Sequence, residues 1–186
     1  MSLKNNPSDA FTGLEAAIVL IAFVVVAAVF SYVILGAGFF TTQKAQETVY
    51  KSVEQSTTNL LLIGNVYGLS TDNNSITEIR FSIGLAPGAP SIDLTKFKVA
   101  FSTPSSDLVI LTLGNTSSQT HFTAKEGGAG SSLSSLDQNQ QIEIAFNVIP
   151  VPVNTVVNIE LRPSVGGALP FSKTTPATIT VTNILS

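Results

Sequence analysis

The chain has 186 residues, a formal net charge of −3 and only 11% charged residues. That balance excludes the basic face a nucleic-acid binder needs to neutralise phosphates. There is no Cys, which excludes a disulfide framework, a thiol nucleophile, Cys-ligated zinc and a lipid anchor on Cys.

The mean hydropathy is +0.38, and the apolar excess sits mainly near the N-terminus. A polar leader, MSLKNNPSDA, precedes FTGLE and then AAIVLIAFVVVAAVFSYVILGAGFF, a run over 16–40 with no charged residue. Within 16–35 only Ser31 and Tyr32 carry polar side-chain atoms. Twenty residues at ~1.5 Å per residue span the ~30 Å hydrocarbon core of a bilayer. Apolar residues fall on every side, so this segment must be covered all round, by lipid or by protein. Small residues Ala27, Ala28 and Ser31 make part of a face that lets helices approach closely.

Beyond Phe40 the pattern changes. Ala45, Val49, Val53 and Leu60 form one narrow apolar stripe. Lys44, Glu47, Lys51 and Glu54 alternate in sign at three- and four-residue spacing, which supports a partly exposed helix. The periodicity predicts one helix over 14–62, roughly 73 Å long, with Gly64 as its C-terminal stop. Gly36 and Gly38 either bend it or admit a close neighbour.

From Asp72 onward the period is two. Seven strand candidates follow: ITEIRFSIGL, DLTKFKVAF, DLVILTL, QTHFTA, QQIEIAFNVI, TVVNIEL and ATITVTNIL. They are rich in Val, Ile, Thr and Phe and bounded by Gly, Pro, Asn and Ser. In the fifth, Ile142, Ile144, Phe146 and Val148 share one face, and Gln141, Glu143, Ala145 and Asn147 the other. APGAPS, KEGGAGSSLSS and SVGGALPFSK read as loops. The fold class is therefore α+β: a long N-terminal hydrophobic α-helix, then an antiparallel immunoglobulin-like β-sandwich. Three segments are expected: a leader 1–10, a helix within 11–64, and an outer β domain 65–186.

Little in this chain carries catalytic chemistry. The single His, His121, has no partner in the pattern. No nucleophile elbow, phosphate-binding loop or zinc-protease motif is present. Gly127, Gly128 and Gly130 lie in a Ser-rich stretch with no helix after them, and read as a loop. No catalytic residue, cofactor or metal ligand is assigned, and the chain is not expected to be an enzyme. Two N-glycosylation sequons, Asn73-Asn74-Ser75 and Asn115-Thr116-Ser117, fall at expected turns. Chance occurrence accounts for such short motifs about as well as glycosylation does.

The lone Glu15 at the head of the apolar run needs a reason, because an unpaired charge in an apolar medium is costly. An ordinary secretory signal would cut behind the core, at Gly36-Ala37-Gly38, but this core is longer than such signals use. A cut between Ala10 and Phe11 instead leaves a new amine on Phe11, four residues from Glu15. Positions four apart are neighbours on a helix. The amine and carboxylate can then neutralise each other, within one chain or between neighbours, and the first-turn carboxylate also suits the helix dipole.

FTGLE before a long Ala/Val/Ile/Leu run resembles the mature start of type IV pilin-like subunits. GAGFF at 36–40 followed by TTQKAQET at 41–48 resembles archaellins, the filament proteins of the archaeal flagellum. The resemblance covers about residues 11–50. It implies a class III signal peptide removed by a prepilin-type peptidase, a transient membrane stage, and transfer into a helical self-polymer by a membrane platform with an ATPase. It implies an extracellular filament for swimming, whose subunit hydrolyses nothing. The leader here ends Ser8-Asp9-Ala10, where the family's usually end in basic residues and Gly. Two other readings stand beside this one: an archaeal adhesion pilin with the same export and core, and a secreted or signal-anchored β-sandwich binding domain.

Overall fold

A computed structural model describes the backbone of residues 7–186 and the side chains of residues 12–186. Residues 1–6 of the expected leader lie outside the described residues, as do the side chains of Ala10 and Phe11. The chain divides into two units, Met1–Tyr50 and Lys51–Ser186.

The helix α1 runs without interruption over Pro7–Thr57. A Pro opens it at little cost, because the first helical N–H has no intrahelical partner anyway. Gly36 and Gly38 are helical like their neighbours.

The helix ends seven residues short of Gly64. Thr58 still donates its N–H to the Glu54 carbonyl at 3.0 Å, but Asn59 already accepts from the Ala86 N–H. The apolar run Leu60-Leu61-Leu62-Ile63 then enters the sheet as the start of β1 (Leu60–Leu69). A short continuous apolar run fits either structure by periodicity alone; pairing with β2 decides for the strand. Gly64 is thus no helix stop. It has φ 74° and lies where Ile63 pairs with Ser82 but Tyr67 pairs with Arg80. The first strand therefore advances four residues while the second advances two, a bulge that glycine accommodates. Nearby, Gly166, with φ 102°, packs so close that an added Cβ would overlap the backbone of buried Thr58.

The remaining strands are β2 (Ile76–Leu85), β3 (Ile92–Asp93), β4 (Lys98–Thr103), β5 (Ser106–Leu113), β6 (His121–Glu126), β7 (Ser135–Leu136), β8 (Gln141–Val151), β9 (Val156–Arg162), β10 (Leu169–Thr174) and β11 (Thr182–Leu185). Nine form one sheet in the order β10-β9-β4-β5-β6-β8-β2-β1-β11, and β3 pairs with β7. The pairs are antiparallel except β5 with β6, which run parallel through Thr112 with His121 and Leu113 with Phe122.

That short parallel joint lets the sheet fold back on itself. Phe101 of β4 meets Phe146 of β8 edge-on at 5.8 Å between centroids, and Phe81 of β2 meets Phe171 of β10 at 5.4 Å. The halves β11-β1-β2-β8-β6 and β5-β4-β9-β10 therefore face each other across one core. Ile142, Ile144, Phe146 and Val148 all point into it, as the alternation of β8 requires. Thr174 and Ser186 exchange backbone hydrogen bonds of 2.7 and 3.2 Å, tying the two outer strands together at one end.

Three strand assignments needed the tertiary structure. In DLTKFKVAF, the Asp93 carboxylate accepts from the Thr95 N–H and hydroxyl, so 94–97 turn and the strand waits until Lys98. In ATITVTNIL, buried Asn183 accepts from the Thr180 N–H at 2.8 Å and donates to the Thr180 carbonyl at 2.7 Å. That local bonding holds 178–181 as a loop. Conversely, part of the expected loop SVGGALPFSK is the edge strand β10, where Pro170 costs no inner ladder bond.

Candidate functional site

The largest unsatisfied surface on the described chain is α1 itself. Over residues 12–57 every residue is exposed, and the most apolar stretch has a mean hydropathy of 3.1. This helix is long and apolar enough to cross a membrane. Phe23, Phe30, Phe39 and Phe40 all project outward.

Polar atoms in this region are turned inward to the helix backbone. The Thr41 hydroxyl donates to the Ala37 carbonyl at 2.8 Å, and the Thr42 hydroxyl to the Gly38 carbonyl at 2.9 Å. Such bonds let a hydroxyl enter an apolar environment without an unpaired donor. Past this point the surface is charged, with Lys44 and Glu47 paired at 2.7 Å; an exposed pair of this kind adds little stability.

Glu15 stands on this helix beside Ala16, Val19 and Phe23, with its carboxylate exposed. Phe11 is helical too, so the four-residue spacing places its backbone nitrogen one turn before Glu15. Ala27, Ala28 and Ser31 are exposed and helical, and their spacing puts them on one side. At Gly13, Gly36 and Gly38 an added Cβ would meet nothing within 4 Å. Glycine inside a helix costs about 1 kcal/mol relative to Ala, and no contact among the described residues accounts for it.

The two sequon asparagines are exposed and separately placed. Asn73 sits in the turn between β1 and β2 with φ 55°. That turn is held by Asp72, whose carboxylate accepts from the Asn74 N–H, the Ser70 hydroxyl and the Ser75 N–H at 3.2, 3.0 and 3.2 Å. These bonds, the one from Asn74 foremost, hold the Asp72 carboxyl below its ordinary value of 3.8. Asn115 lies in the loop between β5 and β6. Where that loop enters β6, His121 serves structure: its Nδ1 lies 2.9 Å from the Thr120 hydroxyl and 3.3 Å from that of Ser118.

Among the described residues no cluster of His, Asp or Glu could hold a metal ion. Nor does any buried side-chain polar atom lack a partner. The helix, in contrast, is an apolar surface with a carboxylate at its head, and its chemistry is association.

A family model described as archaeal-type flagellin matches residues 10–173. Probable flagellin 1 of Archaeoglobus fulgidus is 39% identical over 194 residues, spanning 95% of this chain and 94% of its own length. A 24 kDa flagellin of Methanospirillum hungatei is 91% identical over 32 residues, 17% of this chain and 100% of that sequence. Among solved structures, the archaeal flagellum of Methanospirillum hungatei strain JF1 aligns with a TM-score of 0.73 at 31% identity, covering 90% of this chain and 99% of that one. Flagellin FlaB1 of Methanocaldococcus jannaschii shares the fold, with a TM-score of 0.55 at 15% identity over 69% of this chain and 96% of its own.

Proposed function

The chain belongs to the archaeal-type flagellin family and is a structural subunit of an extracellular archaeal motility filament, and we propose that α1 is the part that builds the filament core. Subunits of this family self-assemble into a helical polymer, and the exposed apolar helix is the observation that carries the assignment of its core. An apolar surface on all sides of a helix is satisfied only by lipid or by other such helices. Both surroundings serve in turn. The precursor is held in the cytoplasmic membrane by residues 16–38, with the β domain outside. Transfer from lipid into a helical bundle keeps the apolar surface out of water throughout. Head-to-tail contacts that do not close then give an open polymer.

Processing precedes assembly. A prepilin-type peptidase hydrolyses the Ala10–Phe11 bond, leaving a carboxylate on Ala10 and an amine on Phe11. The start of the family match at residue 10 supports a boundary there. The amine, as an ammonium, pairs with Glu15 in the apolar core. A membrane platform and a cytoplasmic ATPase supply the work of extraction.

Asn73 and Asn115 are N-glycosylation sites in this reading, supported by their exposure in turns. In each, the side-chain amide nitrogen bonds the anomeric carbon of a sugar from a phosphate-activated donor; the phosphate leaves with the bonding pair and the amide gives up a proton.

The deciding experiment is the mass of the mature subunit in native filaments. An N-terminus at Phe11 is expected. A start near Phe39 would mean the apolar run is a removed signal and the chain a secreted β domain.

A further inference from the structure

The solvent side of β2, β8 and β6 holds a cavity of about 230 Å³ lined by Glu78, Arg80, Glu143, Ala145, Thr123 and Lys125. It exists because the middle residues are small. Ala145 pairs with Arg80 on one side and Thr123 on the other, and a longer side chain there would fill the space. Arg80 is held across it, with Nε 2.8 Å from Glu78 and a terminal nitrogen 3.9 Å from Glu143. Lys125 has no ion-pair partner among the described residues.

Two loops wall the cavity, one through Gly128 and one through Asn115. Gly128 has φ 74°, and an added Cβ would stand 3.3 Å from both carboxylate oxygens of Glu143. The Asn115 loop is pinned on both sides of the asparagine. The Ser132 hydroxyl donates to the Gly114 carbonyl at 2.6 Å. Asn147 donates through its side-chain amide to the Ser117 carbonyl at 3.3 Å and through its backbone N–H to the Ser118 carbonyl at 3.2 Å. A sequon asparagine is thus fixed at the rim of a polar cavity of its own domain.

We propose that this cavity seats the first sugar ring of a glycan carried on Asn115. The inference rests on the reading of Asn115 as a glycosylation site. A sugar ring presents hydroxyls that both donate and accept. Glu78 and Glu143 accept from them, while Lys125 and the free face of Arg80 donate. The volume lies below that of pockets for drug-sized ligands, about 300 Å³ and upward, so it suits one ring and not a chain of them. No aromatic side chain lines it, so stacking contributes nothing. Hydrogen bonds won against water give little net affinity, and a free sugar would not stay. A covalent tether changes this, because it supplies an effective concentration on the order of millimolar or above. Asn73 lies outside the cavity and is the internal control: its first ring has no seat.

The test uses native filaments. Glycopeptide masses establish occupancy, and a filament density map locates the first ring at each site. The Asn115 ring is expected to be ordered between Glu143 and Arg80, and the Asn73 ring to be blurred. Ala145→Leu should leave Asn115 occupied and its ring displaced. The gentler Lys125→Met, which cannot disturb the sheet floor, should weaken the ring density in the same direction. An occupied Asn115 whose ring lies in solvent, or stays put in both variants, overturns the seat while sparing the site. A bare Asn115 peptide overturns the site itself, and the seat with it.

Discussion

Glu15 has no role visible within a single chain, and the pairing proposed for it belongs to the assembly. In the isolated subunit its carboxylate is exposed and its neighbours are apolar. Once the helix is covered, an unpaired charge there is costly, and the proposed partner is the Phe11 amine. Glu15→Gln keeps the shape and removes the charge, and breaking one side of a buried pair costs about 3–5 kcal/mol. Variant precursors are expected to be inserted and cut after Ala10 yet to give few or unstable filaments, read as filament yield beside mature-subunit mass. Wild-type yield from correctly cut variant subunits would remove the pairing role. Asp72 makes a contrasting case, complete within its own turn. Its folded pKa lies below its unfolded one, so its contribution is fully present above 3.8 and is lost as pH falls through the folded value. Protection of the Asn74 and Ser75 amides, measured against their intrinsic exchange rates, should therefore hold from neutral pH down to about the ordinary Asp value and fall below it. Asp72→Asn should abolish that acid step, and an unchanged step in the variant would assign it elsewhere.

At the scale of elements, the junction after Thr57 defines what the outer domain is. Leu60 is buried at 5% exposure, and 60–63 pair with 82–85 of β2. A fragment 58–186 should fold as β structure in water. A fragment 65–186, the boundary that periodicity alone predicts, loses Leu60 and the first half of β1. Losing one such side chain from a core costs about 2–5 kcal/mol. Urea unfolding should place the midpoint of 65–186 well below that of 58–186; equal midpoints would mean that this half-strand contributes nothing to the domain. The helix has its own element-scale test. Ala28→Leu adds bulk without polarity. A lone membrane anchor tolerates it, whereas a close bundle does not. Membrane integration should persist and filament yield fall, and normal filaments from this variant would take Ala28 out of the helix contacts.

For the whole molecule the two units make opposite demands on their surroundings. The β domain buries its core within one chain. Between Leu14 and Phe40 the helix leaves 17 large apolar side chains exposed. At roughly 1.5–3 kcal/mol each on burial, covering them is worth on the order of tens of kcal/mol, more than the ~5–15 kcal/mol that holds a typical domain folded. Such a subunit has no stable existence as a monomer in water. Polymerisation is therefore the state its composition demands once lipid is removed.

The helix was legible in the sequence because a charge-free run of membrane length has few solutions, and each keeps the backbone helical. The core of the β domain was legible where alternation was strict, as in Ile142, Ile144, Phe146 and Val148, since a period of two can bury only one face. At the helix head the sequence shows a carboxylate that an apolar run does not explain, and its role stays a proposal. Short segments with two local solutions were not. LLLI at 60–63 suits a helix or a strand until β2 claims it. Gly64 suits a helix end or a bulge until the register is known. The strand ATITV yields to a loop only because Asn183 reaches Thr180. The cavity beside Asn115 had no sequence signal at all, since Ala145 meets Thr123 and Asn115 only when β8 is brought beside β6 and the loop that leads into it. Local pattern decides what a segment can do alone; competition among partners distant in sequence decides the rest.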